Sequence, residues 1–372
     1  MATSNLFKPL KLGNLELQNR VVMAPLTRLR AADETHVPLP MVAEYYAQRA
    51  SIPGTLLISE ATFIAPQAGG MANAPGIWSE AQIASWKNVT DAVHRKKSFI
   101  YLQLWALGRA AFADNLREEL GEKGVVKSAS DITFEGGATP TPLTDEEIKE
   151  YVGLYAQAAK NAIKAGFDGV EIHSANGYLI DQFLQDTCNN RTDAWGGSVE
   201  KRAKFGLEVA KAVVDAVGAE KTGIRLSPFS PFQGMKMHDP VPQFAYYANE
   251  LKKLKLAYVH LVESRVSGNA DVENTEKVDF LIDIWANQSP VLIAGGFKPE
   301  SAKRAVDEEY TGSDIVVVFG RYFISNPDLV FRLKQGIAFT PYDRKKFYNA
   351  KQEDGYITWP FSKEFETQAG KL

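Results

Sequence analysis

Eight short runs of apolar and β-branched residues recur along the chain, each followed by a stretch in which apolar positions return every three or four residues. The runs fall at residues 20–25, 55–61, 99–105, 169–173, 222–228, 258–263, 291–296 and 314–321. The intervening periodicity predicts helices over 40–50, 79–95, 144–165, 198–217, 242–254, 276–286, 299–307 and 326–336. Thr144-Asp145-Glu146-Glu147 is a capping-box opening, and Gly166 and Gly218 stop two of these helices. Strands alternating with helices imply parallel pairing and right-handed crossovers. Eight such units closing on themselves predict an α/β fold of the (β/α)8 TIM-barrel type, which has no sheet edge. A doubly wound open sheet is the alternative; the count of eight and the lack of Gly-x-Gly-x-x-Gly after the first strand weigh against it.

Three segments lie outside this repeat. Residues 11–17 alternate around Gly13-Asn14 and predict an N-terminal β-hairpin. Residues 108–142, rich in Gly, Pro, Ser and charge, form an excursion after strand three. Residues 342–372 carry Tyr348, Tyr356, Trp359 and Phe361 and are expected to pack back on the body. With no linker in sight, residues 1–372 read as one domain.

Composition narrows the field. The 372 residues are 45% hydrophobic and 23% charged, with a formal net charge of -3. That balance offers no nucleic-acid surface, and no apolar run is long enough to suggest a membrane partner. The single Cys188 excludes an internal disulfide framework, and the five histidines show no zinc-type spacing. The expectation is a cytoplasmic protein, with no resident metal.

In barrels of this kind the chemistry sits at the carboxyl ends of the strands. Strand one ends in Met23-Ala24-Pro25-Leu26-Thr27-Arg28, strand two in Ser59-Glu60-Ala61-Thr62, and strand three in Gln103-Leu104-Trp105. Strand four ends in His173-Ser174-Ala175-Asn176-Gly177-Tyr178, which presents an imidazole, a carboxamide and a phenol within six residues. His173 and Asn176 can donate to one acceptor, and Tyr178 can supply a proton. Strands seven and eight end in Gly295-Gly296 and Gly320-Arg321; close backbone approach beside an arginine favours a phosphate site over two turn glycines. Arg225, inside an apolar strand, must be paired: either a barrel salt bridge with Glu171 or Glu263, or a cation held against an anionic cofactor. The sequence pattern leaves both open.

Taken together, these stretches resemble the old yellow enzymes of fungal type, flavin-dependent ene-reductases on a (β/α)8 barrel. The matching stretches include Leu6-Phe7-Lys8-Pro9-Leu10, the Met23 to Arg28 run, Tyr45-Tyr46-Ala47-Gln48-Arg49-Ala50, the His173 to Leu184 run, and Gly223 to Pro228 with Phe319-Gly320-Arg321. The resemblance implies FMN as cofactor and NADPH as hydride donor. It places the FMN phosphate at Gly296, Gly320 and Arg321, with Pro25, Thr27, Ala61, Gln103 and Arg225 bordering the ring. Thr27 would bond the flavin O4, and Arg225 would stabilise the reduced ring. The substrate would be an α,β-unsaturated carbonyl compound, an enone or enal, whose oxygen His173 and Asn176 hold while hydride from flavin N5 reaches the β-carbon and Tyr178 protonates the α-carbon. Trp105, Met71 and Tyr348 would complete the substrate pocket. Two departures from relatives, Met71 after Gly69-Gly70 and Ser267-Gly268-Asn269-Ala270 without a bulky aromatic, would reshape that pocket. The pattern also resembles an offshoot acting on an unsaturated aldehyde in ergot-alkaloid synthesis, where Tyr178 favours net reduction over isomerisation. A flavin-free phosphate-binding barrel lyase or isomerase is the other class; it would need a buried lysine or an acid pair at strand ends, and the strand runs show no such lysine. A monomer or homodimer is expected.

Overall fold

The computed structural model describes residues 4–264, 266–267, 270–271 and 276–369. Eight parallel strands close into a barrel: β1 (Val21–Met23), β2 (Leu56–Phe63), β3 (Phe99–Trp105), β4 (Gly169–Ser174), β5 (Thr222–Leu226), β6 (Tyr258–Val262), β7 (Val291–Ala294) and β8 (Ile315–Phe319). Each pairs with the next in sequence, and β8 closes on β1 through Val317–Val21 and Phe319–Met23. The predicted barrel with its N-terminal hairpin is therefore observed; most strands are shorter than the apolar runs, while β2 and β4 extend past them to Phe63 and Ser174.

Two apolar layers hold it. Side chains pointing outward, such as Val21, Leu57, Ile100, Leu102 and Ile172, pack under helix residues including Tyr46, Trp86, Tyr155 and Phe205. Those pointing inward, Val22, Leu56, Ile58, Tyr101, Tyr258, Leu292 and Val316, form a second cluster with hairpin residues Leu10, Leu12 and Leu17. The hairpin strands, Leu10–Leu12 and Leu15–Leu17, thus plug the amino-terminal end of the barrel. Tyr101 and Tyr258 fit the interior because Gly169 and Gly223 stand opposite; a Cβ there would sit 2.4 Å and 2.2 Å from the two rings. Filling one end leaves the carboxyl end for a ligand.

The excursion after β3 contains a helix, Ala113–Leu120, anchored where Glu119 lies 3.2 Å from His36. Two short helices escaped the sequence pattern, Leu179–Leu184 after β4 and Arg321–Ser325 after β8. Six and five residues are too few to show a 3.6-residue period.

The aromatic tail packs back on the body. Tyr356 is fully buried and stacks on Tyr45 with ring centroids 4.0 Å apart. Three buried arginines donate to tail carbonyls: Arg28 to Phe347 and Gly355, Arg30 to Phe347 and Gln352, and Arg49 to Tyr356. Carbonyl oxygens and ring faces satisfy these cations in place of carboxylates. The tail is thereby held against the barrel mouth, where it contributes Phe347 and Tyr348.

Candidate active site

A cavity of about 910 Å³ opens at the carboxyl ends of the strands. It lies near the top of the roughly 300–1,000 Å³ range of ligand pockets, so a flat cofactor and a second ligand both fit. Every site residue expected from the sequence lines it except Met71, which packs against the apolar cluster of Phe63, Ala74 and Trp105. The segment Ser267-Gly268-Asn269-Ala270 lies outside the residues whose side chains are described.

The polar trio follows from a sharp bend after β4. Asn176 and Gly177 both adopt left-handed backbone, at φ 56° and 75°, a conformation that Asn and Gly tolerate best. Three hydrogen bonds pin the bend. The Asn176 amide donates to Ser227 Oγ at 2.7 Å, Gly177 donates to Asp181 Oδ2 at 2.9 Å, and Gln233 Nε2 donates to the Asn176 carbonyl at 3.0 Å. The backbone is tied, and the Asn176 carboxamide borders the cavity. His173 is buried, and its Nδ1 has no partner. Burial, then the Arg225 charge, hold its pKa well below the ordinary histidine value, so the imidazole is neutral. Tyr178 packs edge-on against Trp105 and His173, with ring centroids 4.9 Å away in each case. Burial raises its phenol above the ordinary value, so it holds its proton throughout the neutral range.

The floor is set by β3 to β6. Arg225 stands in register between His173 and His260. Its Nε is buried without a partner, and no ion pair joins it to Glu171. The Arg225 guanidinium therefore borders the cavity rather than closing a barrel salt bridge. Below it, Glu171 is fully buried and accepts from Gln103 Nε2 at 2.7 Å, Tyr258 Oη at 3.0 Å and His260 Nδ1 at 2.8 Å. Neither this contact nor the place of Tyr258 in it is marked by any pattern in the sequence.

Pro25, Thr27 and Ala61 border the same cavity, and its far wall is formed by Gly296, Gly320 and Arg321. Gly296 has φ 67°, and a Cβ on Gly320 would meet nothing nearer than 3.5 Å, so the first needs glycine more than the second. Arg321 lies 5.2 Å from the Tyr342 ring centroid. Lys298, exposed beside Phe297, adds a second cation to this wall. Nothing in the local sequence pattern marks Lys298, Phe232 or Phe347 as lining this cavity. Trp105 stacks on Phe63 at 4.9 Å, and Tyr348, 49% exposed, stands at the mouth.

A cavity lined by the Arg225 cation and an unpartnered imidazole, and by Arg321 and Lys298 with Gly296 and Gly320, suits a ring system carrying a phosphate. The orphaned Arg225 Nε and His173 Nδ1 are the buried polar atoms that such a ligand and its co-substrate would satisfy. Fold and site together suit a barrel enzyme that binds a phosphate-bearing ring such as a flavin mononucleotide.

Sequence comparison gives the same answer. Residues 5–339 match the NADH:flavin oxidoreductase / NADH oxidase family. A chanoclavine-I aldehyde reductase of Penicillium roqueforti is 59% identical over 363 residues, covering 98% of each chain. Among solved structures, an old yellow enzyme from Pichia sp. is 41% identical with a TM-score of 0.88, covering 97% of this chain and 94% of that one. Morphinone reductase is 38% identical with a TM-score of 0.87, covering 97% of both chains. The chain belongs to the NADH:flavin oxidoreductase family, within the old yellow enzymes. It is an FMN-dependent oxidoreductase.

Proposed function

We propose that residues 1–372 form a single FMN-binding domain that reduces the alkene of α,β-unsaturated carbonyl compounds, with His173, Asn176 and Tyr178 as its catalytic residues. The observation that carries this assignment is the convergence of those three side chains on one cavity above Arg225. When bound there, FMN would supply the hydride chemistry that links NADPH to the β-carbon of the alkene. Pro25, Thr27, Ala61 and Gln103 border its ring; Gly296, Gly320 and Arg321, helped by Lys298, hold its phosphate. Arg225 would place its positive charge against that ring and favour added negative charge on it.

Neutral His173 offers one N–H and Asn176 two, so both donate to the substrate carbonyl oxygen. Donors fixed in advance stabilise the enolate oxygen more than the carbonyl, and each such donor is worth about 10²–10³ in rate. The bonds from Ser227 and Gln233 to the Asn176 backbone hold it ready, so little is spent on reorganisation. Tyr178, kept protonated by burial, donates to the α-carbon. Trp105 and Tyr348 flank the substrate.

A second assignment narrows the substrate to an unsaturated aldehyde of an ergot-alkaloid-like pathway. The relative at 59% identity, named as a chanoclavine-I aldehyde reductase, supports it. Tyr178 at the acid position favours net reduction. We further place the enzyme in the cytoplasm, working as a monomer or homodimer. Purification tests the core of the proposal: the protein is expected to be yellow with one FMN per chain, and a preparation that stays colourless after FMN is added overturns it. A panel of cyclic enones, enals and nitroalkenes then ranks the two substrate assignments.

A further inference from the structure

Glu171 is a fully buried carboxylate that the reaction above does not use. It sits one level below the cavity floor, in register with Gln103 on β3 and Gly223 on β5. Its three hydrogen-bond donors, Gln103, Tyr258 and His260, are all uncharged side chains. His260 is held neutral chiefly by burial, so its Nδ1–H donates and its Nε2, buried and unpartnered, carries the lone pair. Glu171 itself stays ionised: burial opposes the charge, but His260, Arg225 and Gln103 outweigh it. The nearby positive side chain is Arg225, which reaches Glu171 through space without an ion-pair contact.

Two consequences follow from elementary chemistry. A carboxylate only accepts, so the Gln103 amide must turn its nitrogen down toward Glu171, which leaves its Oε1 as the group offered to the cavity. The negative charge also offsets the Arg225 cation, so the floor presents a partly compensated charge to whatever lies on it.

We infer that Glu171 is a positioning residue of the flavin site: it fixes the Gln103 amide as an acceptor toward the cofactor and restrains the pull of Arg225, and so sets how readily bound FMN is reduced. This inference rests on the FMN assignment for Arg225 and Gln103. Tyr258 and His260 enter it as donors that screen the carboxylate. They also occupy the oxygens that Arg225 would otherwise approach.

The test is the midpoint potential of FMN in the holoenzyme, read against a reference dye at pH 8. Glu171→Gln removes the charge and leaves Arg225 uncompensated. The ratio of reduced to oxidised FMN at a given ambient potential should then rise about tenfold, an upward shift of about 30 mV for a two-electron couple. Glu171→Asp keeps the charge and should stay close to wild type. Tyr258→Phe removes one screening donor while the charge remains, so the potential should fall. The opposite signs separate this role from a merely structural one, and Tyr258→Phe decides the matter should Glu171→Gln fail to fold. An unchanged or lowered potential in FMN-loaded Glu171→Gln, or a raised one in Tyr258→Phe, overturns the inference. A potential that responds to Thr27→Val but not to Glu171→Gln overturns it while leaving the FMN assignment standing. A protein that takes up no FMN overturns both.

Discussion

Replacing Tyr178 by Phe separates the acid from everything else the ring does. The ring keeps its edge-on contacts with Trp105 and His173, each at 4.9 Å between centroids, and only one hydroxyl is lost. Folding stability should therefore change by no more than about 1 kcal/mol, the scale of one hydrogen bond. Proton donation is another matter. A positioned general acid contributes about 10²–10⁴ in rate, which is roughly 3–5 kcal/mol of barrel-mouth chemistry hanging on that hydroxyl. The two half-reactions should respond differently under rapid mixing. NADPH should reduce the flavin in the variant at the wild-type rate, whereas reoxidation by 2-cyclohexenone should slow by at least about 10². The pH profile adds a second check. Burial raises the Tyr178 pKa above its ordinary value of about 10, so the wild-type reoxidation rate should show no alkaline loss from this group up to that pH. Undiminished enone turnover in Tyr178→Phe would refute the proton-donor role.

Other perturbations probe the scaffold. Gly177→Ala forces a side chain into left-handed backbone at φ 75° with its Cβ 2.8 Å from that of Gln233, so it should cost about 1–3 kcal/mol in denaturant melts and weaken phenol binding while FMN stays bound. Tyr356→Ala removes the buried ring stacked on Tyr45; a loss of about 3–5 kcal/mol is expected, with a raised KM because Phe347 and Tyr348 ride on the same tail. His36 carries a pH dependence. Burial pulls its pKa down, but the Glu119 carboxylate and the Ala74 carbonyl more than restore it, leaving the folded value above the ordinary 6.5. Its contribution is thus fully present below about 6.5 and lost as pH rises through the raised folded value. Hydrogen exchange of the helix Ala113–Leu120 should accelerate over that window in wild type and lose the pH step in His36→Gln.

Much of the architecture is readable from sequence because burial on both faces makes each parallel strand a continuous apolar run. Phe99–Trp105 and Ile315–Phe319 are such runs. The six-residue helix Leu179–Leu184 was invisible for the opposite reason, since all six of its residues are buried and no polar face marks a period. The site is partly legible because chemically able residues at strand ends stand out against apolar neighbours, as His173, Gln103 and Arg225 do. What fixes their state does not stand out. Arg225 reads as a cation needing a partner, yet only the barrel register shows Glu171 below it already occupied by three neutral donors. Lys298 and Phe347 reach the cavity through loop and tail geometry that no spacing in the chain encodes. Met71, next to glycines in a promising loop, turns into an apolar cluster instead of lining the cavity.

The central claim is that His173 and Asn176 together hold an oxygen above the flavin. Titrating the FMN-loaded protein with a para-substituted phenol measures this directly, because a phenolate held over the ring gives a long-wavelength charge-transfer band. Wild type and Tyr178→Phe should both show the band, and the variant carrying His173→Ala with Asn176→Ala should lose it while keeping its FMN. A double variant that binds phenol with the band intact would contradict the assignment of those two residues.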